Sequence, residues 1–188
     1  SPEVKRTFGL SAAIITLQNN PLLGSFHTEA SHIGMIDILD TSFPPNAAKI
    51  KLTIRNEIKK TYSQNVIASP NKFRKKTPTI LITGHYDHLG GYGDSCFVSG
   101  ANDNASGIAM MLDMARHFKE NLIDANLIFM ACGGEEVALI GSYYYTEHPT
   151  YPLKNLDLVI NLDLMGAGSK GIMIENGNEL PDVYKSFD

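Results

Sequence analysis

Four short stretches of this 188-residue sequence carry side chains able to bind a metal ion or move a proton. They are Gly84-His85-Tyr86-Asp87-His88, Asp103 within Gly100-Ala101-Asn102-Asp103-Asn104-Ala105-Ser106-Gly107, the pair Glu135-Glu136 after Cys132-Gly133-Gly134, and Asp163 within Asn161-Leu162-Asp163-Leu164-Met165-Gly166. Imidazole nitrogen and carboxylate oxygen together suit zinc, which takes four or five ligands and in catalytic sites keeps a position for water. A carboxylate has two oxygens, so one Asp can bridge two cations, and two ions about 3.5–4 Å apart can share a hydroxide and polarise a carbonyl. Another carboxylate, free of metal, must then take the water's proton. Adjacent Glu residues in a loop can point in different directions and divide those two tasks.

Each stretch alone has a plainer reading. His-x-Asp is a weak motif, Asp103 could cap a helix, and paired Glu residues usually lie on a solvated face. Asp163, between Leu162 and Leu164 at the end of an apolar run, would be expensive to bury without a partner. The four together, at one edge of one sheet, favour a metal.

The elements that must position them are legible from Thr79 onward. Thr79-Ile80-Leu81-Ile82-Thr83 is a nearly continuous apolar run, as expected of a strand covered on both faces. A Gly-rich loop follows, and Ile108, Met111, Leu112, Ala115 and Phe118 then recur at helical spacing, with Asn104 or Ser106 as caps. Asn126 to Ala131 reads as a second strand, Leu139 to Glu147 as a helix and Leu158 to Leu162 as a third strand. This alternation implies an α/β fold with a mostly parallel central sheet flanked by helices. The candidate ligands then fall just after the strands or at a helix entrance, where open α/β sheets build their sites. Residues 1–64 read as a separate region of short strands and loops, including Ala12-Ala13-Ile14-Ile15 and an alternating, half-buried strand from Ala48 to Ile54. Asn65-Val66-Ile67-Ala68 is a further short strand. The basic stretch from Ser69 to Pro78 reads as a solvated turn.

Composition narrows the function classes. With 43% hydrophobic and 19% charged residues and a net charge of −4, the chain is globular and has no electrostatic footprint for nucleic acid. The sequence contains no run of about 18 apolar residues, the length a membrane-spanning helix needs. Cys96 and Cys132 could be two buried thiols, one bridge or neither. Met110, Met111 and Met114 read as helix packing, and His27, His32 and His117 as surface or packing residues.

On the ordered motifs TGHYDHLG, SGANDNASG, GGEEVALIGS and NLDLMG, the chain from about Asn65 to Gly166 resembles the di-zinc aminopeptidase family. That family includes bacterial leucyl aminopeptidases and, more distantly, glutamate carboxypeptidases and glutaminyl cyclases. The resemblance implies a three-layer zinc exopeptidase fold and two zinc ions. His85 and Asp163 would bind one ion, Glu136 the other, and Asp103 would bridge both. Glu135 would be the general base, and Asp87 would orient the His85 imidazole. It also implies an exported, extracytoplasmic aminopeptidase that removes the N-terminal residue of a peptide or protein through a metal-bound hydroxide. Two alternatives are a glutaminyl cyclase-like acyltransferase and a non-catalytic, peptidase-like binding module.

The family pattern supplies its last ligand from a His well downstream of the Asp163 motif, and no His follows Asp163 here. The second zinc site is therefore expected to be incomplete in this chain, which reads as C-terminally truncated, with residues 65–188 the N-terminal part of a catalytic domain. His88 has no ligand role in the family pattern. Phe8 to Ile54 resembles the tail of an inserted protease-associated-type domain.

Overall fold

The computed structural model describes residues 4–10, 13–20, 33–47, 49–53, 57, 59–92, 94–169 and 171–187. They fall in two compact units, Ser1–Tyr62 and Ser63–Asp188. In the first, β1 (Val4–Leu10), β2 (Ala13–Gln18) and β3 (Gly34–Leu39) form one sheet with β2 in the centre. It runs antiparallel to β1 and parallel to β3. Ala13, Ile15 and Leu17 alternate along β2 and are buried, as the two-residue period of a strand requires when one face is covered.

The strand expected from Ala48 to Ile54 is not found in the part that is described. Residues 49–53 have no regular structure and are exposed, Ile50 and Leu52 included; Ala48 and Ile54 lie outside the described residues, as do His27 and His32. An alternating pattern becomes a strand only where a neighbour takes up its backbone hydrogen bonds. No described strand pairs with this segment.

The second unit contains β4 (Val66–Ala68), β5 (Thr79–His85), β6 (Gly91–Tyr92), β7 (Cys96–Phe97), α1 (Gly107–Glu120), β8 (Asn126–Cys132), α2 (Ile140–Glu147), β9 (Leu158–Asn161) and α3 (Pro181–Tyr184). Its main sheet has the order β4-β8-β5-β9. Strands β8, β5 and β9 are parallel, and the edge strand β4 is antiparallel to β8. The β5–β8 register runs from Thr79 opposite Asn126 to His85 opposite Cys132.

Both faces of the central strands β5 and β8 are covered, which is why they read as nearly continuous apolar runs, whereas Val66 of β4 and Val159 of β9 are exposed. Leu81, Ile128, Met130 and Cys132 pack with Tyr145 of α2. Ile82, Leu127, Phe129 and Leu162 pack with Met111 of α1, and Ile108, Met114, Ala115 and Phe118 join them. Leu112, expected in that inward stripe, is 61% exposed, and Met110 is exposed as well. The stripe is centred near Met111 and Ala115, and at 3.6 residues per turn Leu112 lies about 100° round the helix from it.

Three further expectations are refined. The Gly-rich loop holds a small antiparallel pair, β6 with β7. Neither cysteine is bridged: Cys96 is exposed and Cys132 is buried. In the basic stretch before β5, Arg74 is held in place rather than merely solvated. Its guanidinium donates to the Ile123 carbonyl at 2.6 Å and meets Asp124 at 3.1 Å.

Candidate metal centre

His85 is the last residue of β5, two positions beyond the expected end of that strand, and its side chain is only 4% exposed. Its Nδ1 lies 3.1 Å from the backbone carbonyl oxygen of Asp87. A carbonyl can only accept, so Nδ1 carries the hydrogen and the lone pair of a neutral ring sits on Nε2. That nitrogen faces Asp103 Oδ1 at 3.1 Å and Asp163 Oδ1 at 3.6 Å. Glu135 Oε2 is at the other ring nitrogen, 3.9 Å from Nδ1. Burial works against a charged His85, but Glu135, the Asp87 carbonyl, Asp163 and Asp103 outweigh it and hold the imidazole above its ordinary pKa.

Asp103 is delivered by an irregular turn, Ala101–Ser106, that runs into α1. The backbone leaves helical geometry at Asp103 and Asn104, whose shared peptide bond is cis. Asn104 is nearly fully buried. Its Nδ2 donates to the Leu162 carbonyl at 2.9 Å, while its Oδ1 accepts the amides of Gly107 at 3.1 Å and Leu164 at 3.3 Å. It therefore satisfies an amide in the first turn of α1, as a cap does, and also ties the entrance of α1 to the chain after β9. Ser106 makes no side-chain cap. Asn102 adds a parallel link, its Oδ1 accepting the Gly166 amide at 2.8 Å. The cap reading of Asn104 identified one of its bonds; the other two join residues about 60 positions apart, which no local pattern records.

Glu135 and Glu136 follow β8 through Gly133 and Gly134. Gly134 has φ +75°, a left-handed backbone that favours glycine. The carboxylate of Asp87 accepts both Glu amides, Glu135 N–H at Oδ1 and Glu136 N–H at Oδ2, each at 3.1 Å. Asp87 was expected to orient the His85 ring. Its backbone carbonyl does contact that ring, whereas its carboxylate is 3.9 Å from Nδ1 and holds the Glu pair instead. Partial burial raises the pKa of Glu135; His85 opposes this and Glu136, Asp87 and Asp163 reinforce it.

The four sequence stretches meet at the carboxyl edge of the sheet. His85, Asp103 and Asp163 each offer a ligand atom within 4.8 Å of the other two, and so do His88, Asp103 and Glu136. Metal–ligand distances of about 2.0–2.2 Å place tetrahedral donors about 3.4 Å apart. The 3.1 and 3.6 Å separations around His85 Nε2 bracket that value, so these residues fit a zinc-sized ion. Asp103 belongs to both groups, as a bridging carboxylate would. Asp163 itself is 41% exposed, so the expected cost of burying it does not arise: β9 ends at Asn161, Leu162 is the buried residue, and the chain turns outward through Leu164 at φ 54°. His88 was given no role by its sequence position, yet its Nδ1 lies 2.8 Å from Glu136 Oε1.

The family model described as peptidase family M28 matches residues 65–187. Over 106 residues the chain is 40% identical to the aminopeptidase YwaD of Bacillus subtilis, covering 55% of this chain and 22% of that protein. It is 33% identical over 124 residues to a vacuolar membrane protease of Candida glabrata, covering 65% of this chain and 12% of that protein. The chain thus spans less than a quarter of either relative. A glutaminyl cyclase of Bacteroides thetaiotaomicron, solved with N-acetylhistamine, shares the fold with a TM-score of 0.51 at 22% identity, over 64% of this chain and 49% of that one.

Proposed function

The chain belongs to peptidase family M28, and we propose that it carries the metal-binding part of a zinc-dependent exopeptidase that cleaves the N-terminal peptide bond of its substrates. The observation that carries this reading is the junction of His85, Asp103 and Asp163, one imidazole and two carboxylates from β5, the α1 entrance and the end of β9. When bound, two zinc ions would supply a Lewis acid for the scissile carbonyl and a water that ionises near neutral pH.

The residues divide the remaining work. His85, through Nε2, and Asp163 hold one ion, Glu136 is a ligand of the other, and Asp103 is shared. Glu135 and Asp87 both lie outside the two three-ligand groups, but the Asp87 carboxylate is taken up by two backbone amides, which leaves Glu135 to act as the general base and to pass the proton to the leaving amine. Its side chain is about one-third exposed and can turn toward the metal edge. Asp87 positions the Glu pair by fixing its backbone. In the same proposal residues 65–188 are the N-terminal part of the catalytic domain, residues 1–64 are a separate N-terminal region related to a protease-associated-type insertion, and the protein acts outside the cytoplasm. No helix among the described residues is long and apolar enough to cross a membrane.

The test is hydrolysis of amino-acid arylamides, run beside cyclisation of an N-terminal glutaminyl peptide, with zinc removed and restored. Zinc-dependent arylamide hydrolysis supports the proposal. Cyclisation without hydrolysis, or activity indifferent to chelation, overturns it.

A further inference from the structure

Glu135 and Glu136 lie in a loop whose backbone has to be held. Gly134, Ala138 and Leu139 have φ of 75°, 72° and 59°. Left-handed backbone is uncommon for residues that carry a Cβ, and it persists where the surrounding structure fixes it. Within the loop the Leu139 amide donates to the Glu135 carbonyl and the Ile140 amide to the Gly134 carbonyl, each at 2.9 Å. The neck is closed from elsewhere in the chain. The β4–β8 ladder stops at Val66 opposite Ala131, and one residue beyond it the side chain of Asn65 takes over. Asn65 Oδ1 accepts the Gly133 amide at 3.2 Å, and Nδ2 donates to the Gly141 carbonyl at 2.7 Å. A primary amide offers an acceptor and a donor on one group, and here it bridges the entry and the exit of the loop.

We propose that Asn65 is a positioning residue for hydrolysis: by bridging Gly133 and Gly141 it fixes the loop that presents Glu135 and Glu136. This deepens the metallopeptidase reading and rests on it for the roles of the two Glu side chains. The neck is tight. A Cβ on Gly141 would collide with the Gly133 carbonyl oxygen and lie 2.5 Å from Asn65 Oδ1, and one on Gly133 would collide with Ser63 Oγ and lie 2.9 Å from Tyr86 Oη. The segment that carries Asn65 is itself anchored, since Tyr86 Oη donates to the Gln64 carbonyl at 2.7 Å and the Tyr86 amide donates to the Cys132 carbonyl at 3.0 Å. The Asp87 carboxylate thus holds the Glu amides from within the loop, and Asn65 holds its two ends. A displacement of about 1 Å at a group that moves a proton costs on the order of 10²-fold in rate. Because Asn65 acts through Glu135 and not on the substrate, that loss falls on kcat.

The test compares the whole protein with its Asn65→Ala variant, by amide hydrogen exchange without zinc and by arylamide kinetics at saturating zinc. Exchange at the Glu135 and Glu136 amides is expected to rise at least tenfold in Asn65→Ala, while amides of Leu81, Ile82, Ile128 and Phe129 in the sheet exchange as in the wild type. The value of kcat should fall about 10–100-fold with KM within twofold. Added to Glu135→Gln, the same change should cost less than a further twofold, because residues that act through one group are not additive; a merely structural loss would add in full. If Asn65→Ala does not fold, Tyr86→Phe, which removes one hydroxyl and frees Gln64, carries the same comparisons with smaller shifts in the same direction. Glu amides that exchange as in the wild type, or a kcat loss that adds in full to that of Glu135→Gln, would overturn the role of Asn65 and leave the metallopeptidase reading intact. Raised exchange at both Glu amides in a protein whose wild type shows no zinc-dependent hydrolysis would overturn that reading and leave the clamp on the loop standing.

Discussion

Asp87 and Glu136 are joined through the backbone of one and the side chain of the other: the Glu136 amide donates to Asp87 Oδ2 at 3.1 Å, and the Glu135 amide uses the remaining oxygen. The acidic pair is therefore aimed from behind, by a residue one position from His88 and two from His85 within the same strand end and loop.

Asp87→Asn replaces one acceptor oxygen with an NH2 group that opposes a backbone amide. Hydrogen bonds to charged groups contribute about 1.5–3 kcal/mol each. The expected outcome is a loss of about 2 kcal/mol in urea unfolding, together with weaker zinc binding and slower hydrolysis, because both Glu side chains lose their fixed origin. Unchanged stability would show that the two amide bonds matter little.

Glu135→Gln keeps the size of the side chain and removes its ability to take a proton. Zinc content should be unchanged while kcat falls by about 10²–10⁴, the usual contribution of a positioned general base. Loss of metal in this variant would instead make Glu135 a ligand.

Asn104→Ala leaves the Leu162 carbonyl and the amides of Gly107 and Leu164 without their partner. At about 1 kcal/mol for each net bond, the chain should lose about 2–4 kcal/mol of stability. Hydrogen exchange should rise selectively at the start of α1 and just after β9.

The two thiols should behave differently. Cys96 is exposed and free, and should react with a thiol reagent at pH 8 in the native protein. Burial, with Asp87 nearby, pushes Cys132 up to about 11 from its ordinary value of 9.0, so it should react only after unfolding. The sign for stability follows. The unfolded chain ionises this thiol above about pH 9 while the native one resists until about 11, so stability falls as pH rises through that window, and Cys132→Ala should flatten that part of the profile.

The sheet and its motifs were readable because they obey local rules. Ile80 to Ile82 and Leu127 to Cys132 are unbroken apolar runs since both faces are covered, and a Gly pair marks the turn that releases Glu135. What could not be read depends on neighbours. Residues 49–53 alternate but have no described strand to pair with, and Leu112 fits a helical spacing but misses the centre of the stripe. Asp163 follows buried Leu162 without being buried itself. His88 looked like a spare motif residue because Glu136, 48 positions away, reaches it only across the β5–β8 pairing.

That pairing sets His85 opposite Cys132. Successive side chains in a strand leave opposite faces, so sliding β5 past β8 by a single residue would turn His85 away from Asp103 and Asp163. Bound metal would thus tell a correctly threaded sheet from one misaligned by about 3.3 Å, a difference that helix content and overall size would not register.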